Sequence, residues 1–218
     1  MIQIKRANFT NALGLRQASN HLIQPLNGKT TTRPQKSVMM LADDDFFDAN
    51  LTPQMTPIGL QILTLLDQHQ IPHQQQRHSA ASTCEQSAKE RQLPMTLGGK
   101  SLLFRSRYTA NSFHQGDFAM IVVPADQQVD SQKVRRFLGC QKLRFASNDE
   151  LMAIAGVEKG ALPPFGGGLI DVPMYLDERL QQNQQIAFNC GVTTESVVMT
   201  MSDYLSLITP IWGQFCRD

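Results

Sequence analysis

The sequence has no long apolar run. Its longest, Phe118 to Val123, is the length of a buried strand and far short of the roughly 18 residues a membrane-spanning helix needs. It also lacks paired metal ligands. Cys84, Cys140, Cys190 and Cys216 are widely separated and form no C-x-x-C pair, so they read as reduced thiols of a cytoplasmic protein rather than as a disulfide or zinc framework. His69 and His73 stand four apart, but Ile71-Pro72 between them breaks the helix that would align them, and no metal is expected. Neither sign of charge dominates: 20 Lys and Arg face 19 Asp and Glu for a net charge of +1. No field of the whole molecule demands a nucleic acid, and any such partner has to be argued from local charge. Phosphate-loop G-x-x-x-x-G-K-[ST] and nucleophile-elbow G-x-S-x-G patterns are both missing.

What is present is enough for one sizeable core, since 41% of the 218 residues are hydrophobic. Charge is unevenly spread. Residues 1–42 hold no Asp or Glu but carry Lys5, Arg6, Arg16, Lys29, Arg33 and Lys36, after which Asp43, Asp44, Asp45 and Asp48 reverse the sign. With the polar run Asn27 to Pro34, residues 1–50 read as a basic appendage and linker, and residues 51–218 as the domain proper. Four readings of the appendage stay open: a nucleic-acid-binding arm, a targeting segment, an upstream extension with the true start near Met39 or Met40, or an inert tail.

Periodicity predicts a helix from Gln54 carrying Ile58, Ile62, Leu65 and Leu66 and ending at Ile71-Pro72. Ser82-x-x-Glu85 has capping-box spacing and opens a short helix through Ala88. Lys100 to Phe104 and Asp117 to Val123 read as strands, the second apolar on both faces and therefore central. Asp130 caps a helix that Gly139 stops; a strand follows at Lys142 to Phe145, and Ser147-x-x-Glu150 opens a helix ending at Gly156. Ile186 to Asn189 and Glu195 to Met201 are strands, and Ser202 caps a last helix through Leu207. The pattern predicts a mixed α/β (α+β) domain, with a mixed, curved sheet flanked by short helices.

The most unusual segment is Gly156 to Gly168, where glycines allow rare backbone angles and Pro163-Pro164 fix a turn. Alone it reads equally as a tight connection. Together with Ser82 to Ala88, Gly99 to Phe104, Leu138 to Arg144, Gly160 to Gly166 and Leu176 to Leu180, it resembles the YbaK/ProX family of aminoacyl-tRNA editing domains over roughly Gln54 to Pro210. That family is similar in fold to the editing insertion of prolyl-tRNA synthetases, and its members hydrolyse the ester joining a wrong amino acid to tRNA.

The resemblance implies an aminoacyl-tRNA deacylase acting in trans without a cofactor, with tRNA as partner, an aminoacyl-tRNA synthetase as a further one, and no membrane. It matches the family's strand-leading lysine to Lys100, its G-x-x-x-P motif to Gly160–Pro164 and its aspartate to Asp177. Lys100, Gly160 and Ala161 are the catalytic candidates; His78, Pro163, Pro164, Phe165, Gly166 and Asp177 are the substrate-binding ones. Gly99-Lys100-Ser101 departs from the valine and threonine usual around that lysine, which leaves the amino-acid preference open. An activated ester needs only a positioned water and a stabilised oxyanion. Cys190, with no base nearby in the sequence, reads as a core residue. Two rivals remain: a binding module that sequesters tRNA or a synthetase, and an esterase acting on small molecules. Basic residues at Lys133, Arg135, Arg136, Lys142 and Arg144 are candidates for gripping phosphates or simply a solvated face.

Overall fold

The computed structural model describes residues 55–107 and 117–218; the expectations for residues 1–50 lie outside the described residues. Among the described residues, eight strands form two sheets. β1 (His73–Arg77), β7 (Glu195–Thr200) and β6 (Gln185–Asn189) make an antiparallel sheet in the order β1-β7-β6. β2 (Gly99–Arg107), β3 (Phe118–Pro124), β4 (Lys142–Phe145), β5 (Met174–Asp177) and β8 (Ile211–Gly213) make a mixed sheet in the order β4-β2-β3-β5-β8. Its β3–β5 and β5–β8 pairs are parallel, and β2 pairs antiparallel with both β3 and β4. The fold is mixed α+β, as expected, with the strands divided between a mixed sheet and a smaller antiparallel one.

β3 is central because its alternation feeds two cores. Met120 and Val122 enter the larger core with Ile62, Leu66, Phe188 and Val197; Ala119, Ile121 and Val123 enter the smaller one with Val134, Leu138, Tyr175 and Phe215. All five are fully buried, and Met120, Ile121, Val122 and Val123 each contribute about 1.5–3 kcal/mol on burial. In the smaller core Phe137 meets Tyr175 and Phe215 edge-on, at centroid distances of 5.6 and 5.0 Å, the geometry favoured by the ring quadrupole.

Among the described residues, five α-helices pack on these sheets. α1 (Pro57–Gln68) has Thr56 as N-cap and buries Ile58, Ile62 and Leu66. It lies flush against the end of β6, because a Cβ on Gly59 would stand 2.4 Å from the Cys190 carbonyl oxygen. α3 (Ser131–Leu138) runs from the Asp130 cap to Gly139, and α4 (Asn148–Ala155) from a Ser147/Glu150 capping box to Gly156, as the sequence predicts. α2 (Cys84–Arg91) differs. Its capping box is Thr83/Gln86 rather than Ser82/Glu85, because the Gln86 carboxamide accepts from the Ser82 and Thr83 N–H groups. The helix runs on to Arg91, three residues past Ala88. α5 (Met201–Leu207) is capped by Thr200, whose hydroxyl accepts from the Asp203 N–H, rather than by Ser202.

Candidate active site

A cleft of about 740 Å³ opens where α2, β2, the β4–α4 junction and the glycine loop meet. Lys100, Cys84, Ser101, Phe145, Lys159 and Gly160 are among its lining residues, with Arg91 and Asn189 at its polar end and Leu103, Leu151 and Leu162 on its apolar side. The cleft thus brings together Lys100 and Gly160, which are distant in the chain.

Lys100 is the second residue of β2, opposite Val123 on β3. Its ammonium donates to the carbonyls of Ala125 and Gln127 in the turn after β3, which fixes its position at the edge of the cleft. Ser101 Oγ, next along the strand, is buried and finds no hydrogen-bond partner among the described residues. Gly160 has φ of +91°, and a Cβ there would lie 2.8 Å from the Ser82 carbonyl oxygen; any other residue would be strained and would collide with backbone. Its carbonyl accepts from Asn189 Nδ2 at 2.8 Å, while its N–H makes no hydrogen bond among the described residues.

The other candidates sit elsewhere. Ala161 is buried in the larger core and its N–H closes a turn onto the Glu158 carbonyl. Pro163, Pro164, Phe165 and Gly166 are buried behind the cleft and do not line it. The Pro164 carbonyl accepts from the Tyr204 hydroxyl at 2.6 Å, Phe165 packs edge-on against Phe188 and Tyr204, and a Cβ on Gly166 would meet Met174 Cβ at 2.8 Å. These contacts anchor the loop to the larger core. Asp177 is 1% exposed; its carboxylate accepts from the N–H groups of Arg179, Phe215 and Cys216, tying the end of β5 to the segment after β8.

His78 lies outside the cleft but at the end of a buried polar chain that reaches it. Its Nε2 is 2.6 Å from Ser196 Oγ, which receives Arg91 Nε at 2.8 Å; Arg91 and Ser196 both donate to Asn189 Oδ1. Arg91 is 8% exposed and meets only neutral acceptors, and burial pushes its pKa down to about 10. Sequence reasoning missed Arg91 and Asn189. Arg91 finds its partners on β6 and β7, and Asn189 its own on α2, β7 and the segments at Ala81 and Gly160, so no local pattern announces them.

The thiols divide by place. Cys190 is buried, with Sγ 3.7 Å from the Gly59 carbonyl oxygen, and burial followed by the charge of Glu195 pushes its pKa up to about 12. Cys84 does line the cleft. Burial pushes its thiol up, while Lys100 opposes the shift, so it is protonated near neutrality.

Residues 78–207 match the family model described as the aminoacyl-tRNA editing domain. The chain belongs to that family. It is 28% identical over 160 residues to the Multifunctional Ser/Thr-tRNA deacylase ProXp-y of Escherichia coli (strain K12), an alignment covering 72% of this chain and 91% of that protein. The Prolyl-tRNA editing protein ProX of Acetoanaerobium sticklandii is 27% identical over 92 residues, covering 41% of this chain and 56% of that one. In fold, the chain resembles a crystal structure described as a candidate trans-editing enzyme for prolyl-tRNA synthetase, with a TM-score of 0.62 at 19% identity over 76% of this chain and 100% of that one. Membership makes the chain a tRNA-editing hydrolase. Among the described residues no helix is long and apolar enough to cross a membrane.

Proposed function

We propose that this chain hydrolyses, in trans and in the cytoplasm, the ester of a tRNA mischarged with a small amino acid such as alanine, serine, threonine or cysteine, with a positioned water as nucleophile. The observation that carries the reading is that Lys100 and Gly160, whose N–H makes no hydrogen bond among the described residues, line one cleft. Water adds to the ester carbonyl carbon. The oxyanion that forms is met by the Gly160 N–H and the field of the Lys100 ammonium; its collapse breaks the ester C–O bond and expels the ribose oxygen, which becomes a hydroxyl by taking up the proton the water released. Support for water over a protein nucleophile comes from the two thiols described above, both held protonated.

A small substrate fits the apolar side made by Leu103, Leu151 and Leu162, since a site of this kind sorts amino acids by size, at about 1–3 kcal/mol per methylene. The names of the two relatives fit serine, threonine and prolyl-tRNA editing. In this reading residues 51–218 are the editing domain and the basic residues 1–50 an appendage. Incubation with tRNAs charged with alanine, serine, threonine, cysteine or proline, followed as single-turnover release of the amino acid, tests it. Release of one or more small residues is expected. Binding without release would make the chain a sequestering module, and failure to bind or release any of them would overturn the proposal.

A further inference from the structure

A second concave surface lies directly beside the cleft. It is a groove of about 710 Å³ lined by Arg105 and Arg107 of β2, Arg135 of α3, and Lys142 and Arg144 of β4, with no carboxylate among its lining residues. All five cations are exposed. Arg105 and Arg144 share Glu150, each at 2.7 Å, whereas Arg107, Arg135 and Lys142 have no ion-pair partner among the described residues. The groove therefore keeps most of its charge.

The groove and the cleft are consecutive along the same strands. On β4, which is the edge of the larger sheet, Lys142 to Arg144 line the groove, and the cleft begins at the next residue, Phe145. On β2 the cleft takes the first half of the strand and the groove the last three residues. At about 3.3 Å per strand residue, Lys100 and Arg107 are roughly 23 Å apart along β2. That span suits a few nucleotides and is less than the roughly 34 Å of one duplex turn.

At the junction stands Phe145. It is 52% exposed, and its inner face is stacked on the buried Phe104 at a centroid distance of 4.6 Å. A large aromatic ring packed on a second ring, half exposed and among the residues that line a cleft, is a platform for an unpaired base. Cations spaced along a groove and leading to such a platform are the pattern of a surface that tracks a single strand.

We infer that the β4 edge is the track for the single-stranded 3′ end of the RNA substrate: the basic groove takes its phosphates, Phe145 stacks one of its bases, and the cleft receives the aminoacyl end. This rests on the proposed deacylase reading for what enters the cleft, but not for the binding of RNA to the groove. The probe is therefore an unacylated, fluorescently labelled single-stranded oligoribonucleotide ending in cytidine-cytidine-adenosine, followed by anisotropy over a series of salt concentrations. Arg107→Ala, Arg135→Ala and Lys142→Ala should each weaken binding and reduce the slope of log affinity against log salt by about 0.7.

Phe145→Leu should weaken binding on the order of tenfold with little change in slope, and Phe145→Trp should restore it; Phe145→Leu still covers Phe104, and thermal melts check the fold. With aminoacyl-tRNA as substrate the losses should fall mainly on KM. Wild-type affinity and slope in the three cation variants would overturn the inference, as would equal binding of the same sequence in a duplex, or preferential binding of polyglutamate. Oligonucleotide binding that responds as expected, in a protein that hydrolyses no aminoacyl-tRNA, would sustain the groove and sink the deacylase proposal. Hydrolysis with the groove variants unaffected would do the reverse.

Discussion

The side-chain amide of Asn189 donates to two carbonyls at once, Gly160 at 2.8 Å and Ala81 at 3.1 Å. The glycine loop is thereby fastened to the segment leading into α2, while Asn189 Oδ1 receives Arg91 and Ser196. Asn189→Ala removes every one of these contacts and leaves a buried guanidinium short of an acceptor. It should cost about 1–3 kcal/mol of stability, read as a lower melting temperature, and should slow deacylation beyond that loss because Gly160 is no longer held. Normal turnover in folded Asn189→Ala would show that Asn189 serves folding alone.

Gly160→Ala places a methyl group 2.8 Å from the Ser82 carbonyl oxygen at a φ of +91°. The nearest atoms are all Ser82 backbone, so none can yield by a rotamer change. The expected result is a cooperatively melting protein with little or no single-turnover activity, and Gly160→Val should behave the same way.

Lys100→Ala should lower the single-turnover rate on the order of a hundredfold, the scale for losing one preorganised electrostatic contact to a reacting ester. Lys100→Arg should recover only part of it, because a planar guanidinium cannot reproduce a compact ammonium held by the Ala125 and Gln127 carbonyls. Replacing Cys84 and Cys190 with alanine should leave the chemical step largely intact. Wild-type rates in folded Lys100→Ala, with loss of activity in Cys84→Ala, would instead make this a thiol enzyme.

Glu150 is the one acid between two arginines, and its pKa is held well below the usual carboxylate range by the Arg144 hydrogen bond first, then by the Ser147 N–H and Arg105. A carboxyl whose folded value is depressed gives stability that is present above its unfolded value, about 4.3, and lost as pH falls through the folded one. Glu150→Gln keeps the capping geometry but loses the charge. The variant should melt below the wild type at neutral pH, and the gap should close as pH drops below about 4. A gap that is constant with pH would assign the effect to the cap.

The ends of α3 and α4 were legible because their signals are local. Asp130, Ser147, Gly139 and Gly156 satisfy or release backbone groups within a few residues of themselves. β1 was not, because its sequence, His73-Gln74-Gln75-Gln76-Arg77, is polar throughout, and only pairing with β7 makes it a strand. β5 and β8 are short and owe their place to parallel neighbours distant in the chain. Of the loop and strand residues singled out from the sequence, Lys100 and Gly160 line the cleft, whereas Pro163, Pro164, Phe165 and Gly166 do not. Unusual backbone residues mark a constrained loop without saying whether the constraint faces a ligand or a core. Here Tyr204 and Met174 pack against them from the inside.

The hold of Asp177 on the N–H groups of Phe215 and Cys216 has a consequence for the nascent chain. β5 leaves the ribosome well before its outer partner β8, and the β6–β7 hairpin is made between them. Vectorial synthesis can therefore finish the three-stranded sheet while the five-stranded one still shows an open edge at β5, the kind of edge on which neighbouring chains pair. Asp177, already in place at the end of that strand, is the clasp waiting for the segment that closes it.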